Sequence, residues 1–365
     1  MENKSSHVVI SAGNAGCQIL RTFASRSSSN GTKMFAIDSV VSGVTLDNIN
    51  SNVKFIPIIS DENSGSGRDR ERGAAMFKYH EDQGAFDEMY AAAESAKSPV
   101  VVISSAAGGT GSGSIVPLCR SLIELGIHVI PIIVCPSMDD PDAYHLNTND
   151  LFIELDEVGV ETYNVFRNRA GDSNYGPINN EVADLIEIIF GKRYHDTSLD
   201  SIDDQDLDVI LSTPGRFVAI TAAAPDIPKL TREITTKMFT GFQPSWTEDD
   251  AKKYTFMSAF SLRSIFASND FKGVFDEVRS RIKRTYDEYR HIEQCDNNGV
   301  CEATVIIAGL PRPEIKDVEA TYADVGGISS GMNRSKRPAF MKRKKASITD
   351  KKDSNGNSHK EFKWV

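Results

Sequence analysis

Roughly 18 consecutive apolar residues are needed to cross a bilayer as a helix, and the 365-residue chain has no such run. No transmembrane helix is expected. The stretch from Met1 to His7 has no apolar signal core, so no secretory leader is expected. Cysteine is sparse: Cys17, Cys119, Cys135, Cys295 and Cys301 are scattered and odd in number. None stands at metal-ligand spacing with histidines, so no metal site of that kind is expected. Cys119 and Cys135 lie in apolar runs and read as small core residues. The simplest setting is a reducing cytoplasm. There is no internal repeat and no Asp-x-Asp-x-Asp-Gly calcium pattern.

What remains is ordinary for a globular protein: 40% hydrophobic and 25% charged residues. The length suits two domains or one large α/β unit. The net charge of −10 hides an asymmetry. Residues 333–365 carry eleven Lys/Arg against three Asp/Glu, a net of +8, and leave −18 on the rest. An acidic body with a basic tail implies two jobs in two places. The tail, with Lys342 to Lys345, Lys351 and Lys352, reads as disordered in part and suited to phosphates or an acidic partner.

The most informative stretch is Ala106-Ala107-Gly108-Gly109-Thr110-Gly111-Ser112-Gly113. The β-branched run Val100 to Ser104 precedes it, and Ile115, Leu118, Leu122 and Leu125 follow at helical spacing. A strand, a glycine loop and a helix start form a phosphate cradle, because free N–H groups and the helix dipole converge there. Thr110 and Ser112 add hydroxyls. No lysine follows the glycines, which excludes a Walker A loop. Position in the chain also fits a dinucleotide fingerprint badly. A second strand, glycine loop and helix start runs from Val8 through Gly13-Asn14-Ala15-Gly16-Cys17-Gln18 to Phe23.

Further strands are expected at Met34–Asp38, Phe55–Ile59, Val129–Cys135 and Thr162–Phe166. Helices are expected at Phe77–Ala96 and about Thr148–Glu157. The loop at Gly65 and Gly67 leads to Arg68, a cation able to meet an anion. Pro136 to Asp142 is a turn-rich acidic loop that holds Asp139 and Asp140. Asn179 and Asn180 open the apolar stripe Val182, Leu185, Ile186 and Ile189. An asparagine can read a base edge bidentately or cap a helix. Asn180 is the first choice and Asn179 the second. Ser201 to Leu211 holds four acids in six residues, Asp203, Asp204, Asp206 and Asp208, which repel one another in a purely structural turn. A metal-binding acidic loop is the rival reading. Later strands are expected near Phe217–Thr221, Lys253–Phe260 and Ala303–Ala308, with helices near Ile227–Phe239 and Phe271–His291. No catalytic constellation is visible in that half.

Residues 106–113 resemble the Gly-Gly-Gly-Thr-Gly-Ser-Gly signature of the tubulin/FtsZ superfamily, with Ala107 in place of the first glycine. Residues 12–19 resemble the Ala-Gly-Gln-x-Gly-Asn-Gln-Ile stretch that opens tubulins. There Gly13, Gly16 and Gln18 match, while Asn14 and Cys17 depart. Asp203 and Asp206 fit the Asn-x-Asp-x-x-Asp loop of FtsZ, with Ser201 replacing the asparagine. Among superfamily members the chain looks most like the TubZ-like GTPases of plasmids and bacteriophages.

The resemblance implies an α/β fold: a parallel-sheet, Rossmann-like GTPase domain, a long central helix and a smaller α+β second domain. The divisions expected are 1–177, 178–200, 201–328 and a basic flexible tail at 329–365. It implies GTP/GDP with Mg2+, held by the two glycine loops, by Asp38, by Gly65, Gly67 and Arg68, by Asp139 or Asp140, and by Asn180. It further implies head-to-tail filaments in a bacterial host cytoplasm, with Asp203 and Asp206 entering the neighbouring subunit's pocket to complete hydrolysis. The tail would join the filament to a DNA-binding adaptor or to DNA. Two other functions fit parts of the sequence: a dinucleotide-dependent Rossmann enzyme, and a non-hydrolysing structural filament or scaffold protein.

Overall fold

A computed structural model describes residues 7–40, 53–59, 65–192, 201–243, 257–282, 287–296, 298–313, 346–352 and 358–364. Its centre is one ten-stranded sheet. The strands β1 (His7–Ala12), β2 (Thr32–Asp38), β3 (Val53–Pro57), β4 (Val100–Ser105), β5 (Val129–Cys135), β6 (Thr162–Arg167) and β7 (Gly215–Ala224) run parallel, in the order β3-β2-β1-β4-β5-β6-β7. Then β10 (Cys301–Leu310) pairs antiparallel with β7 and with β8 (Met257–Ser264), and β9 (Asp287–Gln294) closes the edge parallel to β8. The central strands are apolar at nearly every position because both faces are covered.

One face carries α1 (Gly13–Ala24), α6 (Gly176–Ile189) and α7 (Asp204–Leu211). The other carries α2 (Arg70–Asp82), α3 (Asp87–Glu94), α4 (Thr110–Glu124) and α5 (Asp142–Glu157). A third core joins β7, β8 and β10 to α8 (Ile227–Thr240) and α9 (Ala267–Ser280). Short polar residues start several helices. Asp69 accepts from Arg72 N at 3.0 Å at the head of α2, and Asp226 accepts from Lys229 N at 2.8 Å at the head of α8.

The expected mixed α/β architecture with a large, mostly parallel sheet is what is found. Three local expectations need correction. The helix expected over Phe77–Ala96 is two helices, broken at Gly84, whose φ of +75° is a left-handed turn. The helix expected to run to His291 stops at Ser280, and Asp287–Gln294 is the strand β9. That strand lacks apolar alternation because its buried positions are His291 and Glu293. Arg263 of β8 bonds Glu293 at 2.7 Å and Glu302 of β10 at 2.9 Å, so ion pairs do there what apolar side chains do elsewhere. Residues 346–352 and 358–364, which show no element in the sequence pattern, pair as the antiparallel strands β11 and β12. Residues 253–256 of an expected strand and Lys342 to Lys345 lie outside the described residues.

Candidate functional site

Successive strands are added outward from β1 through β2 and β3, and the chain then returns to place β4 on the other side of β1. The direction of winding therefore reverses between β1 and β4. Ligands of open parallel sheets bind outside the carboxyl ends of the strands at such a point. Both glycine loops stand there, one after β1 and one after β4.

The loops are built into each other. A Cβ on Gly13 would meet Gly111 N at 2.7 Å, and one on Gly111 would meet Ala12 O at 2.7 Å. A Cβ on Gly113 would strike Arg70 O at 2.1 Å, and one on Gly109 would meet Asp69 N at 2.5 Å. A Cβ on Gly16 would meet Ile103 O at 2.6 Å. These positions need glycine because backbone meets backbone. Gly108 alone in the second loop faces open space, with nothing within 4 Å.

Asn14, Gln18, Ala107 and Asp140 line a cleft of about 450 Å³ over this switch point, within the usual size of a small-molecule site. Tyr144, Asn168, Tyr175 and Asn179 complete its polar and aromatic lining. Of the two expected aspartates, Asp140 lies on the cleft, its Oδ2 accepting from Ser137 N at 2.7 Å, while Asp139 is exposed beside it. Of the two asparagines, Asn179 lies on the cleft. Asn180 turns away, and its Oδ1 accepts from Arg26 Nη2 at 3.3 Å. Neither caps α6, whose cap position is Tyr175.

Several expected contact residues look into the protein instead. Cys17 is buried, takes a hydrogen bond from Ser11 Oγ at 3.6 Å, and has its thiol pushed up to about 12 by burial. Thr110 Oγ1 lies 2.7 Å from Ser39 Oγ and 3.0 Å from Ser66 Oγ, a buried hydroxyl chain joining β2, residues 65–69 and α4. Ser112 Oγ accepts from Arg70 Nε at 3.3 Å. The Arg70 guanidinium grips Glu154 of α5 at 2.8 and 2.9 Å. Asp38 ends β2 with Oδ1 on Ser39 N at 2.7 Å, while its buried Oδ2 has no hydrogen-bond partner among the described residues. Burial raises its pKa above the ordinary carboxylate value.

Gly65 and Gly67 take φ of +93° and +63°, and Arg68 follows at +63°. The Arg68 guanidinium stands 5.0 Å from the centre of the Tyr144 ring. Tyr144 and the arginine brace at Arg70 carry no sequence signal beyond residue type. Both become visible only when α5 is laid beside the glycine loops.

Asp203 and Asp206 sit elsewhere. Asp203 Oδ1 accepts from Gln205 N at 2.8 Å and Asp206 N at 2.9 Å, and Asp206 Oδ2 accepts from Asp203 N at 3.2 Å. This capping box starts α7, so the crowded acids have a structural job after all. Further along, Asp208 lies 3.5 Å from His128, which immediately precedes β5. Asp204, Gln205 and Asp208 line a second cleft with His7, Ser98 and Pro99, all at the amino ends of β1 and β4. The strand β1 spans six residues. At roughly 3.3 Å per residue, this cleft and the glycine loops are about 20 Å apart along the strand, at opposite ends of one sheet. Among the described residues there is no cluster of three or more His, Cys, Asp or Glu that would hold a metal.

No protein-family model matches the chain, and no curated protein sequence does. Solved structures do match in shape. CetZ1 from Haloferax volcanii, as a GDP-bound monomer, gives a TM-score of 0.66 at 19% identity, covering 87% of this chain and 99% of that one. The TubZ of Bacillus thuringiensis serovar israelensis, in a GTPγS-form protofilament, gives 0.61 at 20% identity over 85% and 89%. FtsZ from M. jannaschii, as an empty dimer, gives 0.63 at 15% identity over 84% and 89%. The chain thus has the fold shared by FtsZ, CetZ and TubZ.

Proposed function

We propose that this chain binds and hydrolyses GTP and assembles head-to-tail into dynamic filaments. The observation that carries the reading is that α7, which Asp203 caps, lines with Asp204 and Asp208 the cleft at the amino ends of β1 and β4, while the two glycine loops follow the carboxyl ends of those strands. Acids about 20 Å from a cradle cannot touch what it holds. Stacking one subunit's acid edge on the next subunit's glycine edge brings them together. Phosphoryl transfer needs mostly positioning and charge control, so two carboxylates that orient a water complete the site. The match to a GTPγS-form TubZ protofilament supports the same arrangement.

In this reading the amides of residues 107–111 hold the phosphates and Asp140 meets the ribose. Asn179 reads the guanine edge beside Tyr175. Mg2+ would be held by the phosphates, with the unpartnered Oδ2 of Asp38 accepting from its hydration shell, which suits a cation that keeps most of its waters. Bound there, it would neutralise phosphate charge. The net of +8 on residues 333–365 supports a tail that attaches cargo, as an adaptor or DNA in plasmid or phage segregation. A Rossmann dehydrogenase uses neither a second glycine loop nor distant acids.

Sedimentation and phosphate release, followed against protein concentration with GTP, test the proposal. GTP should drive sedimentable filaments, and phosphate should appear only above a critical concentration. Hydrolysis that stays proportional to protein down to high dilution would sink the shared site.

A further inference from the structure

We propose that Gln243 and Phe242, in the segment that follows α8, position Asn168 on the wall of the cleft over the glycine loops. The second half of the chain then takes part in ligand binding without lining the cleft. The proposal rests on the guanine-nucleotide reading of that cleft.

The strands β6 and β7 pair from Thr162–Gly215 to Asn164–Phe217 and then part, although β6 continues to Arg167 and β7 to Ala224. Buried backbone groups in such a gap need partners. Residues 240–243 supply them. The side-chain amide of Gln243, itself buried, does the work of a strand. Its Oε1 accepts from Ala219 N at 3.1 Å and from Asn164 Nδ2 at 2.8 Å, and its Nε2 donates to Ala219 O at 2.6 Å. Asn164 Nδ2 also donates to Phe217 O at 2.8 Å, which ties the parting strands together at their last pair. Next to Gln243, Phe242 O accepts from Arg167 N at 2.7 Å. The Arg169 guanidinium stands 4.1 Å from the centre of the Phe242 ring, and its Nη2 donates to Thr240 O at 3.2 Å.

Arg167 and Arg169 are thus both fastened to the segment after α8. Asn168 lies between them, lines the cleft and donates its backbone N–H to Cys135 O of β5 at 3.1 Å. The cleft lining runs from Asn14 to Asn179 and holds no residue of the second half. Binding a ligand against a loosely held wall costs the ordering of that wall. Fastening both neighbours of Asn168 beforehand removes that cost. The fastening depends on Gln243, because its amide holds the segment in register with β7.

Equilibrium binding of GDP to full-length protein kept below its assembly concentration tests this, in a cycle of Asn168→Ala and Gln243→Met. Methionine keeps the length of glutamine and removes its hydrogen bonds. Each single change should weaken GDP binding about tenfold, and the double change little more than either, because Gln243 acts through Asn168. Arg169→Ala, an exposed change, should weaken binding about threefold and again add nothing to Asn168→Ala. Losses that multiply, to about a hundredfold in the double variant, make Gln243 merely structural and overturn its positioning role. Wild-type affinity in a folded Gln243→Met overturns it too. If Gln243→Met does not fold, the cycle of Arg169→Ala with Asn168→Ala decides by the same rule. Amide exchange without ligand reads the joint separately. Gln243→Met should speed exchange at Arg167 and Asn168 and leave Val9 and Ile10 of β1 unchanged. Equal acceleration at all four overturns the local joint, whereas no GDP binding by wild type overturns the guanine-nucleotide reading.

Discussion

Asp203 and Asp206 exchange hydrogen bonds across the first turn of α7, the one accepting from Asp206 N at 2.9 Å and the other from Asp203 N at 3.2 Å. The pair that the proposed function uses as carboxylates is therefore also a helix cap. An amide can cap as well as a carboxylate but cannot replace its charge.

That separation gives the first prediction. Asp203→Asn should melt close to wild type, bind GTP normally, assemble and stop releasing phosphate. Asp203→Ala should lose phosphate release too, and also about 1 kcal/mol of stability from the missing cap. Thermal unfolding beside phosphate release by assembled protein checks both. Activity restored by asparagine would make Asp203 a cap alone.

The second prediction concerns the brace beneath the glycine loop. The side chain of Arg70 is 5% exposed and pairs with Glu154 at 2.8 Å. Removing one partner leaves a buried charge uncompensated, which costs about 3–5 kcal/mol. Glu154→Ala should therefore lower the denaturation midpoint strongly. The double change Arg70→Met with Glu154→Met should recover much of it, because it removes both charges together. A Glu154→Ala midpoint near wild type would show that solvent replaces the carboxylate.

The third prediction is a pH dependence. His7 stacks on Phe190 at 4.4 Å, its Nδ1 is 2.9 Å from Ser98 Oγ, and burial, helped by Lys192, lowers its pKa to about 4. The ordinary value is 6.5. Between these values the unfolded chain binds a proton that the folded chain refuses. The His7 contribution is complete above pH 6.5 and is lost as pH falls toward 4. Burial raises the pKa of Asp38 and of Glu181, so those groups work in the opposite direction over the range above ordinary carboxylate values. Comparing His7→Phe with wild type cancels them. The variant should lose stability less steeply on acidification from pH 6.5 to 4, read as unfolding free energy against pH. Parallel curves would mean that His7 is charged in the folded state.

Much of the sheet was legible because its strands are buried on both faces and read as short apolar runs, such as Val100 to Ile103. The glycine loops were legible for a partly different reason from the one that holds. The sequence pattern suggests glycine that makes room for a ligand, whereas Gly13, Gly109, Gly111 and Gly113 make room for neighbouring backbone. The strand β9 was hidden because a charge ladder through Arg263 replaces apolar alternation. Tyr144, Asn147, whose Nδ2 donates to Ala107 O at 2.9 Å, and Glu154 were hidden because their partners lie 40 or more residues away in sequence, and only the three-dimensional approach of α5 to the loops gives them work.

The last prediction concerns Arg68 as a strained residue. With φ of +63°, its Cβ crowds the backbone in a way that glycine avoids. Alanine at this position removes the guanidinium and keeps the crowding. Glycine removes both. Arg68→Gly should therefore be more stable than Arg68→Ala by about 1 kcal/mol, the reverse of their order at an ordinary helical position. Strain kept at a position where glycine relieves it at no loss of fold points to a side chain retained for binding. Unfolding midpoints for the two variants decide the matter. An alanine variant as stable as the glycine one would mean that the loop relaxes to a negative φ once the arginine is gone.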